Sequence, residues 1–286
     1  MSNENRIIAL TDADISDVQT KAHAKLLECQ KANDVIGAQI FSILGLYARV
    51  IYYPLEADGP WGFTLMKDSD SIGVNETDKP FVAINTSILT DKQAFAAAHE
   101  LYHIWYERKA DYIPASILND VDEHGFQLDK PELRANRFAA EFLVAGQLLK
   151  QEMQIYSIHA GKVSEKNVLK LAELFSVPYR TMVKRLNEIG AIDEKQKERF
   201  LAETDESIEI QRKRYSITIP EADGRVAIDN LVELSVAMYE AHRITYEKLQ
   251  YLLSLSNLTP ADVGIDDVTE TYIPPDDTVL DEIMEE

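Results

Sequence analysis

A single cysteine, Cys29, leaves no partner within the chain, which excludes intrachain disulfides, cysteine-based zinc fingers and CxxC redox motifs. Any metal must therefore be held by histidine and carboxylate. The sequence also lacks long apolar runs, with nothing approaching the roughly 18 uninterrupted residues of a membrane span. The amino terminus, MSNENRIIALTDADISD, has no basic start followed by an apolar stretch. Cytoplasmic residence without membrane attachment is the expectation. Basic residues are scarce as well: 29 Lys and Arg stand against 49 Asp and Glu, for a net charge of −20. Ten of those acids lie in residues 249–286, which hold no Lys or Arg. An acidic chain repels nucleic acid and anionic lipid, so direct nucleic-acid binding is not expected.

What is present is an ordinary globular composition, 45% hydrophobic and 27% charged, without internal repeats or low-complexity blocks. Apolar residues recur at helical spacing over 14–46 (Ile15, Val18, Ala22, Leu26, then Val35, Ala38, Ile40, Ile43, Leu44), predicting two helices divided near Ala32 to Asp34. Between 49 and 86 the runs RVIYYPL, GFTLM, SIGVNE and FVAINTS are punctuated by Gly, Asp and Pro, predicting a small, mostly antiparallel sheet. A helix follows from Thr90 or Asp91, as its cap, to about Tyr106. Residues 108–130 read as an irregular loop, and Pro131 suits the first turn of a helix continuing to about Val144. Two further helices, broken at Ser176 to Pro178, fit SEKNVLKLAELFSVPYRTMVKRLNEIG. The segment YSITIPEADGRVAI reads as strand-turn-strand, and a long helix is predicted from Asp229 to Leu255.

The chemistry concentrates in HELYH, His99 to His103. On a helix this pattern puts two imidazoles one turn apart on the same face, at a spacing that lets both donate to one zinc ion, with Glu100 toward the same cleft. The neighbouring Phe95, Ala98, Leu101 and Tyr102 imply a buried helix, where a histidine pair needs a partner. A catalytic zinc takes three protein ligands, and PELRANRFAAEFL is the best source of the third. Glu132 shares a face with Ala135, Asn136 and Ala139, whereas Glu141 is about half a turn out of phase with Glu132, so both cannot face the metal. Glu132 is the candidate ligand, and Asn136 is suited to hydrogen-bond a ligating histidine or carboxylate. Tyr102, Tyr106, Tyr112 and His124 are the nearby candidates for stabilising an oxyanion. His23, His159 and His242 have no metal-spaced neighbours and read as structural or solvent-facing.

HELYH followed after 28 residues by ELRANRFAAEFLV resembles the ImmA/IrrE family of metallopeptidases, over about Ala38 to Ile192. One departure is Phe142 to Ala145, FLVA where the family prefers an LLMP-like sequence. Outside the resemblance lies a mixed C-terminal extension, 204–286, with a long helix and an acidic tail. The resemblance implies an α+β, zincin-like catalytic domain over 1–160, carrying the HExxH helix on a small, mostly antiparallel sheet, and a helical region packed on it over 161–203. It also implies zinc on His99, His103 and Glu132, Glu100 as general base, and intracellular, site-specific cleavage of a repressor-type transcription factor or other regulatory protein. A substrate peptide would add to a strand edge near SIGVNE or FVAINT. The competing reading is a non-proteolytic immunity or antitoxin-type binding protein that keeps the metal site. A helix-turn-helix reading of Lys162 to Gly190 would offer Arg180, Lys184 and Arg185 to phosphates, but Leu169, Leu171, Leu174, Phe175, Val183 and Leu186 fit packing of a helical pair onto the catalytic domain better.

Overall fold

The computed structural model describes residues 9–65, 79–107 and 130–265. The chain divides into two compact units, Met1–Asp229 and Asn230–Glu286. In the first, helices α1 (Asp12–Glu28) and α2 (Gln39–Tyr47) precede strands β1 (Arg49–Tyr53), β2 (Gly62–Leu65) and β3 (Phe81–Asn85), then helix α3 (Thr90–Tyr106). After the segment 108–129 come α4 (Lys130–Leu143), α5 (Gly146–Ile155), α6 (Glu165–Phe175), α7 (Tyr179–Glu188), α8 (Glu194–Leu201), α9 (Asp205–Tyr215) and the short strand β4 (Ala227–Ile228). The two N-terminal helices, the HELYH helix and the helical pair interrupted at Ser176 stand where periodicity puts them. Ser176 ends α6 in the left-handed region, at φ 53°.

The sheet is mixed, in the order β2-β3-β1-β4. Two antiparallel pairings, β2 with β3 and β4 with β1, flank a central parallel pairing of β1 with β3, in which Arg49 stands opposite Phe81 and Tyr53 opposite Asn85. FVAIN is thus an interior strand whose edges are both occupied, so it cannot take up a substrate strand. SIGVNE lies outside the described residues. Among those residues, β2 pairs on one side alone.

Segment 216–228 departs from the strand-turn-strand expectation. Ser216, at φ 53°, closes α9, and only Ala227–Ile228 is strand. The remainder lies alongside Thr86 to Thr90: the Gly224 amide donates to the Thr86 carbonyl, the Thr86 hydroxyl to Arg225, and the Thr90 amide to Glu221. These bonds satisfy its backbone polar groups without a ladder, which alternation of side chains cannot reveal. They also correct the expected cap of α3. Thr90 is its first residue, the cap position is Leu89 with no side-chain bond, and the Glu221 carbonyl accepts the Thr90 amide from far along the chain.

Helix α3 is buried on nearly every side, from Gln93 to Trp105, against α2, α4, β2 and β3. Its alanines 94 and 96–98 combine high helix propensity with little bulk, so the sheet and α4 can both come close. Across the contact, α4 presents Ala135 and Ala139, fully buried, and flanks them with Phe138 and Phe142, whose rings stack 5.4 Å apart beside Trp105. The N-terminal end of α4 is tied to α1 by Asp14, which meets Lys130 at 2.9 Å and Arg134 at 2.5 Å. The hydrogen bond from the Thr11 side chain, then those from Lys130 and Arg134, hold the Asp14 carboxyl far below the usual carboxylate range.

Helix α7 is fastened to the end of α4 by Arg185, a fully buried guanidinium whose Nε and Nη2 donate to the Val144 carbonyl at 3.0 and 2.7 Å. Its Nη1 reaches Glu141 at 2.8 Å and also pairs with Glu188, which Arg137 shares. Glu141 thus points away from Glu132, as the helical phase requires. Of the three cations of the helix-turn-helix reading, Arg185 is buried and Arg180 donates to the Leu201 and Glu203 carbonyls, while Lys184 is exposed.

In the second unit, α10 (Leu231–Glu240) and α11 (Tyr246–Ser254) replace the single predicted helix. The interruption is a left-handed His242 at φ 54°, followed by an Arg243 amide that donates back to the Met238 carbonyl and by Thr245, whose side chain caps α11. Apolar periodicity runs through such a turn unchanged, because the residues that make it differ little from helix residues. A short 3-10 turn, Pro260–Val263, follows.

Candidate metal centre

His99 and His103 project from the middle of α3, one turn apart, and are 2% and 1% exposed. Their Nε2 atoms lie 3.0 Å from each other. Glu132, in the first turn of α4 and 5% exposed, closes the group, with Oε2 at 3.1 Å from His99 Nε2 and Oε1 at 3.5 Å from His103 Nε2. A glutamate there is favoured by the positive end of the helix, and the small residues behind it let α4 come within reach.

The far edge of each imidazole is also occupied. His99 Nδ1 lies 2.9 Å from Asn136 Oδ1, one turn beyond Glu132, as the helical phase predicts. His103 Nδ1 lies 2.8 Å from Glu107 Oε2. Both oxygens are acceptors, so each Nδ1 carries the proton and each Nε2 presents its lone pair to the shared centre. Two such lone pairs 3.0 Å apart beside a carboxylate require a cation between them. A proton answers part of that need: burial disfavours protonation of His103, but the hydrogen bonds to Glu107 and Glu132 outweigh it and push the imidazole up to about 10. Burial alone would likewise raise the Glu132 carboxyl, yet the bonds from His103 and His99 hold it well below the usual carboxylate range. A divalent ion answers it fully. His99, His103 and Glu132 each offer one ligand atom, and these atoms all lie within 4.8 Å of one another. The donor set, two neutral imidazole nitrogens and one carboxylate oxygen, fits a metal.

Glu100, 3% exposed, lies beside the three donors, where its charge acts on His103, and borders β2. Thr64, itself fully buried, donates its hydroxyl to Glu100 Oε2 at 2.6 Å. Two residues earlier on the same face of β2, Gly62 leaves room beside Oε1: a methyl group there would come within 3.4 Å of that oxygen and 3.1 Å of the Ala83 carbonyl. One carboxylate oxygen is therefore held and the other has space.

Residues 48–187 match the model of the family Peptidase_M78, described as the IrrE N-terminal-like domain. The chain carries an ImmA/IrrE-family domain. No curated protein matches the chain. The Peptidase_M78 match supports a metallopeptidase and implies a metal and a protein substrate. The match spans β1 through α7, covering both the HELYH helix and the Glu132 helix of that domain. No helix among the described residues is long and apolar enough to cross a membrane.

Of the residues singled out in the sequence, His99, His103 and Glu132 meet at one point, Asn136 backs His99, and Glu100 lies beside them. Tyr106 does not join them, since its hydroxyl donates to the Lys21 carbonyl on α1 at 3.2 Å. Tyr102 is enclosed by the rings of Tyr106, Phe138 and His103, and burial pushes its hydroxyl up to about 12. Tyr112 and His124 lie outside the described residues. His23, His159 and His242 are exposed. Two contributors escaped the sequence reading. Glu107 had a signal, its place four residues after His103 on the same helix face, whereas Thr64 had none, because nothing local says which strand runs beside Glu100.

Proposed function

We propose that this chain is an intracellular zinc endopeptidase that cuts a regulatory protein, of the DNA-binding repressor type, at a specific site. The observation that carries the reading is the buried group of His99, His103 and Glu132 with Glu100 at its side. Zinc on these three donors would supply Lewis-acid polarisation of the scissile carbonyl and acidification of water. Glu100 Oε1 accepts the proton of the attacking water and passes it to the leaving amine, while Oε2 stays fixed by the Thr64 hydroxyl. Asn136 holds His99 in its Nδ1–H form, so that Nε2 remains a donor. The extended substrate adds along β2, whose outer side has no strand among the described residues, with main-chain hydrogen bonds aligning its scissile bond over Glu100.

A repressor-type substrate is supported by the family resemblance, and an intracellular site of action by the absence of any cysteine pair and of a membrane-crossing helix among the described residues. The second reading, a binding protein that acts by sequestering its partner, draws on the unit Asn230–Glu286, where Leu234 and Tyr251 are more than half exposed. Co-expression with a repressor encoded beside the gene, comparing wild type with Glu100→Gln, separates the two. The peptidase reading expects repressor fragments with the wild type alone. Equal relief of repression by both forms, with no fragment, would establish sequestration.

A further inference from the structure

The two histidines of the centre are backed by unlike groups. Behind His99 stands a neutral amide, the Asn136 oxygen at 2.9 Å, and behind His103 a carboxylate, the Glu107 oxygen at 2.8 Å. Glu107 cannot belong to the donor group itself, because its oxygen lies on the Nδ1 edge of the ring, away from the Nε2 that faces His99 and Glu132. It is also attached to His103 twice. Its backbone amide, at the end of α3, donates to the His103 carbonyl at 3.0 Å, and its side chain then folds back onto the ring of the same residue. That return fixes both the rotation of the imidazole and the nitrogen that carries its proton.

We propose that Glu107 is a positioning residue for the metal, orienting His103 and, through its charge, making His103 the more strongly donating of the two imidazoles. The proposal rests on the reading of His99, His103 and Glu132 as metal ligands. A carboxylate accepting from Nδ1–H draws that proton toward itself and returns electron density to Nε2, where an amide does so less. It also adds a negative charge at the edge of a buried site, where a dication replaces a proton between the donors. The alternative, that Glu107 merely terminates α3, would use only its backbone amide and would be indifferent to the side chain.

Zinc affinity measured by chelator competition on the full chain, together with the absorption spectrum of the cobalt(II)-loaded protein, decides between them. Glu107→Gln keeps an acceptor for Nδ1–H and removes the charge, whereas Glu107→Ala removes both. Loss of a group behind a ligating histidine costs about 10–100-fold in metal affinity. The expected order is therefore wild type tightest, Gln weaker by about tenfold and Ala weaker by up to about 100-fold, with the cobalt spectrum altered in both variants. Zinc affinities within about twofold of wild type and an unchanged cobalt spectrum in Glu107→Gln would overturn the proposal, whether or not Glu107→Ala folds. A wild-type chain that takes up no zinc would instead overturn the metal reading beneath it, and the proposal with it.

Discussion

Stripping the metal and raising the pH should loosen the fold in a way that identifies His103. In the metal-free protein this imidazole is held up at about 10, against an ordinary value of 6.5, because its bonds to Glu107 and Glu132 outweigh burial. A group whose folded-state pKa is raised gives stability that is fully present below its unfolded value, here about 6.5, and lost as pH rises toward 10. The full shift corresponds to roughly 5 kcal/mol as a ceiling, at about 1.36 kcal/mol per unit. The depressed Glu132 carboxyl reflects the same ion pair from its other partner, so its energy is not added to this. Its own contribution is present above the ordinary carboxylate range and lost in acid. Urea unfolding in chelator at pH 6 and pH 9 should therefore show a fall of roughly 2–3 kcal/mol in wild type, and a much smaller fall in His103→Gln. With zinc the trend should reverse: metal and proton compete for Nε2, so affinity and the stability it confers rise with pH. A pH slope in the metal-free wild type no steeper than in His103→Gln would show that His103 carries no such proton in the folded state.

Further predictions concern the supports of the site. Thr64→Val should lower kcat while leaving KM and zinc affinity near wild type, because it frees Glu100 Oε2 without touching the donors, and Thr64→Ser should restore the rate; a fall in zinc affinity instead would move Thr64 into the metal's support. Arg185→Met leaves the Val144 carbonyl without its buried donor, while Glu141 keeps Arg137, and should cost about 2–3 kcal/mol in urea unfolding; a loss below about 1 kcal/mol would show the clamp to be dispensable. Glu132→Gln should weaken zinc binding severely with the helices intact by circular dichroism, and unchanged affinity would remove Glu132 from the donor set.

The centre was legible in the sequence because its main parts are local to helices. His99, Glu100 and His103 are fixed by one helical turn, and Glu132, Asn136 and Glu141 sort themselves by phase on a second. Glu107 follows the same logic, one turn after His103, but lies outside the HExxH pattern. What could not be read is what depends on distant chain. Thr64 reaches Glu100 only because β2 lies at the sheet edge next to α3, and the parallel pairing of β1 with β3 joins strands that are not neighbours in the sequence. The Glu221 carbonyl at the start of α3 comes from more than a hundred residues along the chain, and Arg185 is a surface-type residue by sequence that the fold buries to hold the end of α4. The break at His242 was hidden by continuous apolar spacing.

The most direct test is a comparison of newly formed protein N-termini in cells expressing the zinc-loaded wild type or Glu100→Gln, each first shown to hold one zinc. A peptidase of this kind yields a small set of new N-termini in the wild type alone, among them one within a DNA-binding regulator. Identical N-termini in the two, with zinc bound in both, would contradict the peptidase reading.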